Sequence, residues 1–156
     1  VSLRWMGAML INEFTKSASL ECLSRLRFGR LACARDGQPY VTPFYFARNG
    51  QHIYSFSTIG QKIEWMRTNP LVCVEADEHE TPQKWSSVIV FGLYEELPKE
   101  TEYEHLRELA HSVLEQRSIW WEPAYARTIL SGAERQLDPI YFRIRIETIT
   151  GRRATL

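Results

Sequence analysis

The 156-residue chain has no excess of either charge: nineteen basic side chains are matched by nineteen acidic ones, a formal net charge of zero. Without an overall field, neither nucleic acid nor an acidic membrane is indicated as a partner. Cysteine is scarce. Cys22, Cys33 and Cys73 are odd in number, widely spaced and set in apolar runs such as "LACA" and "LVCVEA", with no C-x-x-C pair. They read as buried free thiols of a reducing compartment, not as zinc ligands or a disulfide framework. No apolar run is long enough to cross a bilayer, and "VSLRWMGAML" has neither the apolar stretch nor the cleavage site of a signal peptide. A cytoplasmic protein is expected. The chain starts at Val1, not Met, so residues 1–18 are expected to form an N-terminal arm, partly an expression remnant or flexible, with 19–156 as a single domain.

Familiar catalytic signatures are also missing. His52, His79, His105 and His111 show no H-x-x-x-H or H-E-x-x-H spacing, and His105 and His111 fall on different faces of one helix. The chain contains no G-x-S-x-G elbow, P-loop or Rossmann glycine run, which argues against a hydrolase or a kinase. The acidic "DEHETPQKW" reads as a solvated bend between strands, and no metal site is expected.

Aromatic residues, at 12%, are plentiful, which suits either a flat ligand or a packed β core. Ser19 is a candidate cap for a short helix "LECLSRLR" ending at Gly29. "GRLACAR", "YVTPFYFA" and "QHIYSFST", separated by the turns "DGQP" and "RNG", predict a three-strand antiparallel meander. Pro43 has no N–H, so its strand must lie at an edge or bulge, leaving backbone groups for a ligand. "LVCVEAD", "KWSSVIVFGLYEEL", with Gly92 at a bulge or bend, and the alternating "PIYFRIRIETITGRR" supply three further strands. Residues 99–117 carry apolar side chains at helical spacing. Six antiparallel strands with peripheral helices predict a mainly β fold, a small closed or partly closed barrel.

The passage "YSFSTIGQKIEWMRTNP" sets a lysine in the first turn of a predicted helix. A cation there is mildly unfavourable beside the positive end of the helix dipole unless an anion shares the site. Lys62 therefore either points into water or meets an anion, of which phosphate is the commonest. Ser57, Thr58, the amides at Gly60 and Gln61, and the Lys62 ammonium offer hydroxyl, amide and cationic donors within one turn. Arg67 either adds charge to that pocket or lies on the helix's outer face.

These pieces, "GRLACARDGQPYVTPFYFA", "IYSFSTIGQKIEWMRTNPLVCVEAD", "WSSVIVFGLYEEL", "WWEPA" and "RIRIETITGR", resemble in their order the flavin-binding split β-barrels related to pyridoxamine 5'-phosphate oxidase. The likeness is closer to the short branch with nitroimidazole-resistance-type proteins, and it covers nearly the whole chain from Ser19. The resemblance implies a six-stranded split barrel of the FMN-binding type and a homodimer with FMN at the subunit interface. It implies that Ser57, Thr58, Gln61 and Lys62 hold the phosphate and that Pro43, Phe44 and Tyr45 line the isoalloxazine ring with backbone groups. Trp85, Ser86 and Ser87 would come from the partner subunit, while Trp120 and Trp121 would divide between the substrate pocket and packing. The implied activity is an FMN-dependent oxidoreductase acting on a small-molecule redox substrate. The alternative is a non-catalytic flavin, haem or deazaflavin carrier or sensor on the same barrel. The C-terminal "ETITGRRATL" has no histidine of the Arg-x-His type found in true pyridoxamine-phosphate oxidases, which argues against vitamin B6 oxidation.

Overall fold

The computed structural model describes residues 8–116, 127–130, 133–136 and 139–156. In chain order the elements are β1 (Leu10–Glu13), α1 (Lys16–Arg25), β2 (Phe28–Arg35), β3 (Gln38–Tyr45), β4 (Ala47–Asn49) and β5 (His52–Ser57). Then come α2 (Gln61–Thr68), β6 (Leu71–Thr81), β7 (Lys84–Leu97), α3 (Glu104–Gln116), β8 (Arg127–Leu130), β9 (Ala133–Gln136) and β10 (Ile140–Thr155). All six predicted strands are present, and β7 has the predicted limits. Short β1, β4 and the β8–β9 hairpin join them among the described residues.

The main sheet runs β3-β2-β6-β7-β10-β5-β4, with β1 on the far end of β10, and the described pairings are antiparallel. The Asp36-Gly37 turn joins β2 to β3 with φ of 51° and 77°, the left-handed pair that a two-residue hairpin with native twist requires. The expected meander stops at this hairpin. β5 pairs with β4 and β10, at the opposite end of the sheet from β3. The reason is register: Ile53 and Ser55 lie opposite Ile144 and Phe142, so pairing β5 to β10 carries its apolar face into the core.

The two sheet edges, β3 and β4, are consecutive in the chain and separated only by Phe46. Among the described residues no ladder joins them, so the barrel is split there. Two bonds sew the split: Phe46 N donates to Arg27 O at 2.9 Å, and the buried Ser55 hydroxyl donates to Tyr45 O at 2.7 Å. Removing the hydroxyl deletes this buried bond. Ser55→Ala is therefore expected to cost roughly 1–2 kcal/mol, a fall in Tm of about 2–8 °C. An unchanged melting curve would mean that packing alone holds the split.

Inside the barrel lie Leu31, Phe44, Phe46, Ile53, Ile63, Met66, Val74, Val90, Phe142 and Ile144. A second cluster, Ala47, Tyr54, Leu97, Ala110, Val113, Leu114 and Tyr141, fills the space under α3 on the outer side. Three expectations are corrected in detail. Thr15, not Ser19, caps α1, accepting from Ala18 N at 3.1 Å, while Ser19 is fully buried one turn later. The bulge predicted at Gly92 lies on the facing strand, where the register with β7 shifts between Ile146 and Thr148. Gly92 is needed opposite it because a Cβ there would stand 2.5 Å from Arg145 O. Cys22 and Cys33 are buried, but Cys73 is only half-buried, facing outward from β6.

Candidate ligand site

β3 is an edge strand, as its proline requires: β2 is its neighbour on one side and, among the described residues, no strand pairs on the other. The β2 ladder runs unbroken through Pro39 and Pro43, opposite Ala34 and Arg30, so the ring nitrogens face the open edge, where no donor is needed. Tyr45 has the same parity, and its carbonyl on that edge is the one taken by Ser55. Phe44 points inward, its ring 5.3 Å from Phe46, whereas Pro43 and Tyr45 are exposed. What this strand can give a ligand is thus edge backbone together with the flat outer sides of Pro43 and Tyr45.

β5 ends at Ser57, and the chain turns through Thr58 and Ile59 to Gly60, the N-cap of α2. Gly60 supplies no side-chain cap, and the first helical bond is Glu64 N to Gly60 O at 3.1 Å. The amides of Gln61, Lys62 and Ile63 are therefore left without an intrahelical acceptor. A Cβ added to Gly60 would meet nothing nearer than Thr58 O at 4.0 Å, so the space beside this residue is open. The Ser57 hydroxyl donates to Thr58 O at 3.2 Å.

Lys62 bends inward and is half-buried. Burial holds its pKa below the ordinary lysine range, with the neighbouring Cys33 thiol opposing that shift. Burial also pushes Cys33 up, against the pull of Lys62, so the thiol is neutral at physiological pH. Among the described residues no carboxylate pairs with Lys62. A desolvated cation without a counter-charge, set beside three unpaired helix amides, is complementary to a phosphate monoester. Arg67 does not join it. Its guanidinium makes a two-pronged bridge to Glu96, 2.7 and 3.1 Å, and Glu96 also accepts from the Tyr94 hydroxyl at 2.8 Å.

Trp85, Ser86 and Ser87 lie far from this pocket in the same chain. Ser57 pairs with Ile140 and Trp85 with Ala154, so fourteen residues of β10 separate them, roughly 45 Å of strand contour. Ser86 is buried, Trp85 and Ser87 are half-buried, and the Trp85 ring stacks on His79 with centroids 6.1 Å apart. Trp120 and Trp121 lie outside the described residues. The outer face of β2, β6 and β7 carries a largely apolar groove lined by Ala32, Ala34, Leu71, Cys73 and Phe91, with Glu147 of β10 as its charged member. Leu71 and Phe91 are 66% and 59% exposed.

The sequence reading did not single out Ser55. It alternates in phase with Ile53 and Ser57, and a hydroxyl on a core-facing strand position must find a buried acceptor. Among the described residues no group of metal-ligating side chains is assembled, and no helix is long and apolar enough to cross a membrane.

Comparison with known proteins identifies the family and the fold. A family described as pyridoxamine 5'-phosphate oxidase matches residues 15–153. An uncharacterized protein of Rhizobium meliloti (strain 1021) is 42% identical over 128 residues, 80% of this chain and 83% of the relative. The crystal structure of a FAD-binding protein from Mesorhizobium loti is also 42% identical, with a TM-score of 0.76, covering 96% of this chain and 100% of that one. A FAD-binding protein from Mycobacterium smegmatis, at 20% identity and a TM-score of 0.63, covers 92% of this chain and 98% of that one, a likeness of fold.

Proposed function

The chain belongs to the pyridoxamine 5'-phosphate oxidase family, and from that premise we propose that it is a flavin-binding oxidoreductase whose site is shared between two copies of the chain. The observation that carries this reading is Lys62: half-buried, without a carboxylate partner among the described residues, and set at the open amides of α2. FMN is the smallest flavin that satisfies it. The FAD-binding description of the Mesorhizobium loti protein, 42% identical, supports a flavin as the ligand class.

In this reading Lys62, the amides of Gln61 to Ile63 and the hydroxyls of Ser57 and Thr58 hold the phosphate. The edge of β3 from Pro43 to Tyr45 lines the flat ring, and the ring's polar atoms meet backbone groups there. A flavin supplies the electron-transfer chemistry, while the protein orients it and excludes water. The partner subunit brings the segment of Trp85, Ser86 and Ser87, which the strand contour keeps from reaching the pocket of its own chain. The apolar groove around Leu71 and Phe91 is the surface that would bring the two chains together, since exposed apolar faces of this kind mark interfaces. The substrate is a small redox-active molecule.

Anaerobic titration of the purified protein with FMN, followed by NADH or NADPH, tests the proposal. Uptake of flavin and its bleaching by one of the two donors is expected. Uptake without reduction by any donor would leave a flavin carrier, and no uptake would contradict both readings.

A further inference from the structure

The acidic "DEHE", expected from sequence to be a solvated bend, is part of β6, and Cys73, Glu75, Asp77 and His79 alternate along its outer face. In register across β7 stand Phe91, Ile89, Ser87 and Trp85. Glu75, Asp77 and His79 therefore occupy the stretch of sheet between the groove around Leu71 and Phe91 and the Trp85 segment, with Arg30 of β2 opposite Glu75. They form one cluster. The Arg30 guanidinium lies 3.0 Å from Asp77 and 3.7 Å from Glu75, the other Asp77 oxygen is 2.7 Å from His79 Nε2, and the imidazole stacks on Trp85. Around them Phe28, Tyr45, Ile89 and Phe91 are exposed in the single chain. The other charged groups nearby have neighbours of opposite sign. Glu78 is held by Arg25 at 3.0 Å, Lys84 by Glu80 at 2.9 Å, and Arg152, beyond Ser87 on β10, stands opposite Glu13 of β1. Two carboxylates thus face one guanidinium, so the cluster carries one uncompensated negative charge while His79 is neutral and none once it is protonated.

We propose that this cluster is a protonation latch on the two-chain site: association of two copies of the chain, and flavin capture with it, tightens as His79 becomes charged. The inference rests on the shared-site reading above, which takes both the groove and the Trp85 segment into the interface and so encloses the cluster between them. A face that sets Arg30 and His79 beside Glu75 and Asp77 within an apolar surround is self-complementary, as a two-fold interface between copies must be. Enclosing it with a neutral imidazole takes an uncompensated carboxylate out of water on each side, and a charge without a partner is costly to bury. Protonation of His79 supplies the counter-charge, and the imidazolium gains a cation–π contact with Trp85. The dimer therefore takes up protons, and association strengthens as pH falls across the span of about 8 to 5 in which imidazoles titrate. Burial and Asp77 hold the Glu75 carboxyl above the ordinary carboxylate range, against the pull of Arg30 and His79. Its protonation acts in the same direction, so the two groups are separated by substitution.

The test reads the dimer dissociation constant by sedimentation of the flavin-free full chain at about pH 8 and about pH 6, for the parent, His79→Gln and Glu75→Gln. The parent constant is expected to fall roughly 10- to 100-fold between the two. His79→Gln, which keeps a donor for Asp77 but cannot take a charge, should stay near the parent's weaker value at both. Glu75→Gln balances Asp77 against Arg30 without any proton and should already associate tightly at the higher pH. FMN affinity should follow these differences between parent and variant at each pH, a comparison that cancels the titration of the phosphate itself near pH ~6. A parent dimer equally tight at both values, or a His79→Gln protein that keeps the parent's pH dependence, would overturn the latch and leave the shared site standing. A parent that bound FMN as a monomer at both values would overturn the shared site and the latch together.

Discussion

Lys62→Ala is expected to weaken flavin binding by roughly 10- to 100-fold, the size of one lost charge-assisted hydrogen bond to a desolvated anion. The loss should be nearly the same for FMN and FAD, because the first phosphate is common to both. The same position carries an opposite effect on the ligand-free protein. Burial lowers the Lys62 pKa in the folded chain, so below that lowered value both states are charged and the folded one bears the desolvation. The penalty is fully present below the folded value and is relieved as pH rises through it toward the ordinary lysine pKa of about 10.4. Lys62→Met should thus raise the Tm of the flavin-free protein, with the gain shrinking as pH rises, while flavin binding falls. A bound phosphate supplies the missing counter-charge and should protect the parent far more than the variant. If Lys62→Met melted lower than the parent without flavin, the ammonium would be a stabilising group and the anion-site reading would be wrong.

Phe91→Glu is expected to convert a dimer of about twice 18.3 kDa into a monomer and to reduce flavin affinity by more than about 100-fold. In a single chain this substitution costs little, because Phe91 is 59% exposed on the outer face of β7. In a two-fold dimer it buries an unpaired carboxylate on each side of the interface, and truncated or uncompensated buried charges cost several kcal/mol, roughly 3–5 each. On the proposed shared site, flavin binding should follow assembly, because fourteen residues of β10 separate Trp85–Ser87 from the Ser57 of the same chain. Sedimentation or size-exclusion with light scattering reads the mass, and flavin titration reads the affinity. A variant that stayed dimeric would move the interface elsewhere, and a monomer that bound flavin normally would place the whole site within one chain.

The strands were legible because most alternate cleanly between turn residues, and β7 shows this best. Its inward Val88 and Val90 and outward Ile89 and Phe91 follow period two to Gly92, and its limits can be read without coordinates. Pairing was less legible. β5 follows β3 closely in sequence but pairs with β10, some ninety residues on, because only that register buries Ile53. β1 has no buried residue of its own and is a strand only because the end of β10 is there to receive it. The bulge at Glu147 escaped notice because it shifts which residues face inward, from Ile144 and Ile146 to Ile149, inside a run that still looks apolar.

The same division holds for the site. Lys62 could be read because a cation at a helix start is anomalous within a few residues of sequence. Arg67 could not be assigned, since its partner Glu96 lies on another strand. Arg30 meets Asp77 only once β2 pairs with β6, a contact no local pattern encodes.

The central claim, one flavin site built from two chains, is tested most directly by mixing two defective proteins. Lys62→Ala lacks the phosphate cation and Trp85→Ala lacks the partner's aromatic segment, so each alone should bind flavin poorly. After unfolding and refolding together, random pairing makes mixed dimers in which one site has both native halves, restoring about one site in four. Recovery of flavin binding to that level is the predicted result. Binding in the mixture no greater than the average of the two separate variants would contradict the shared site.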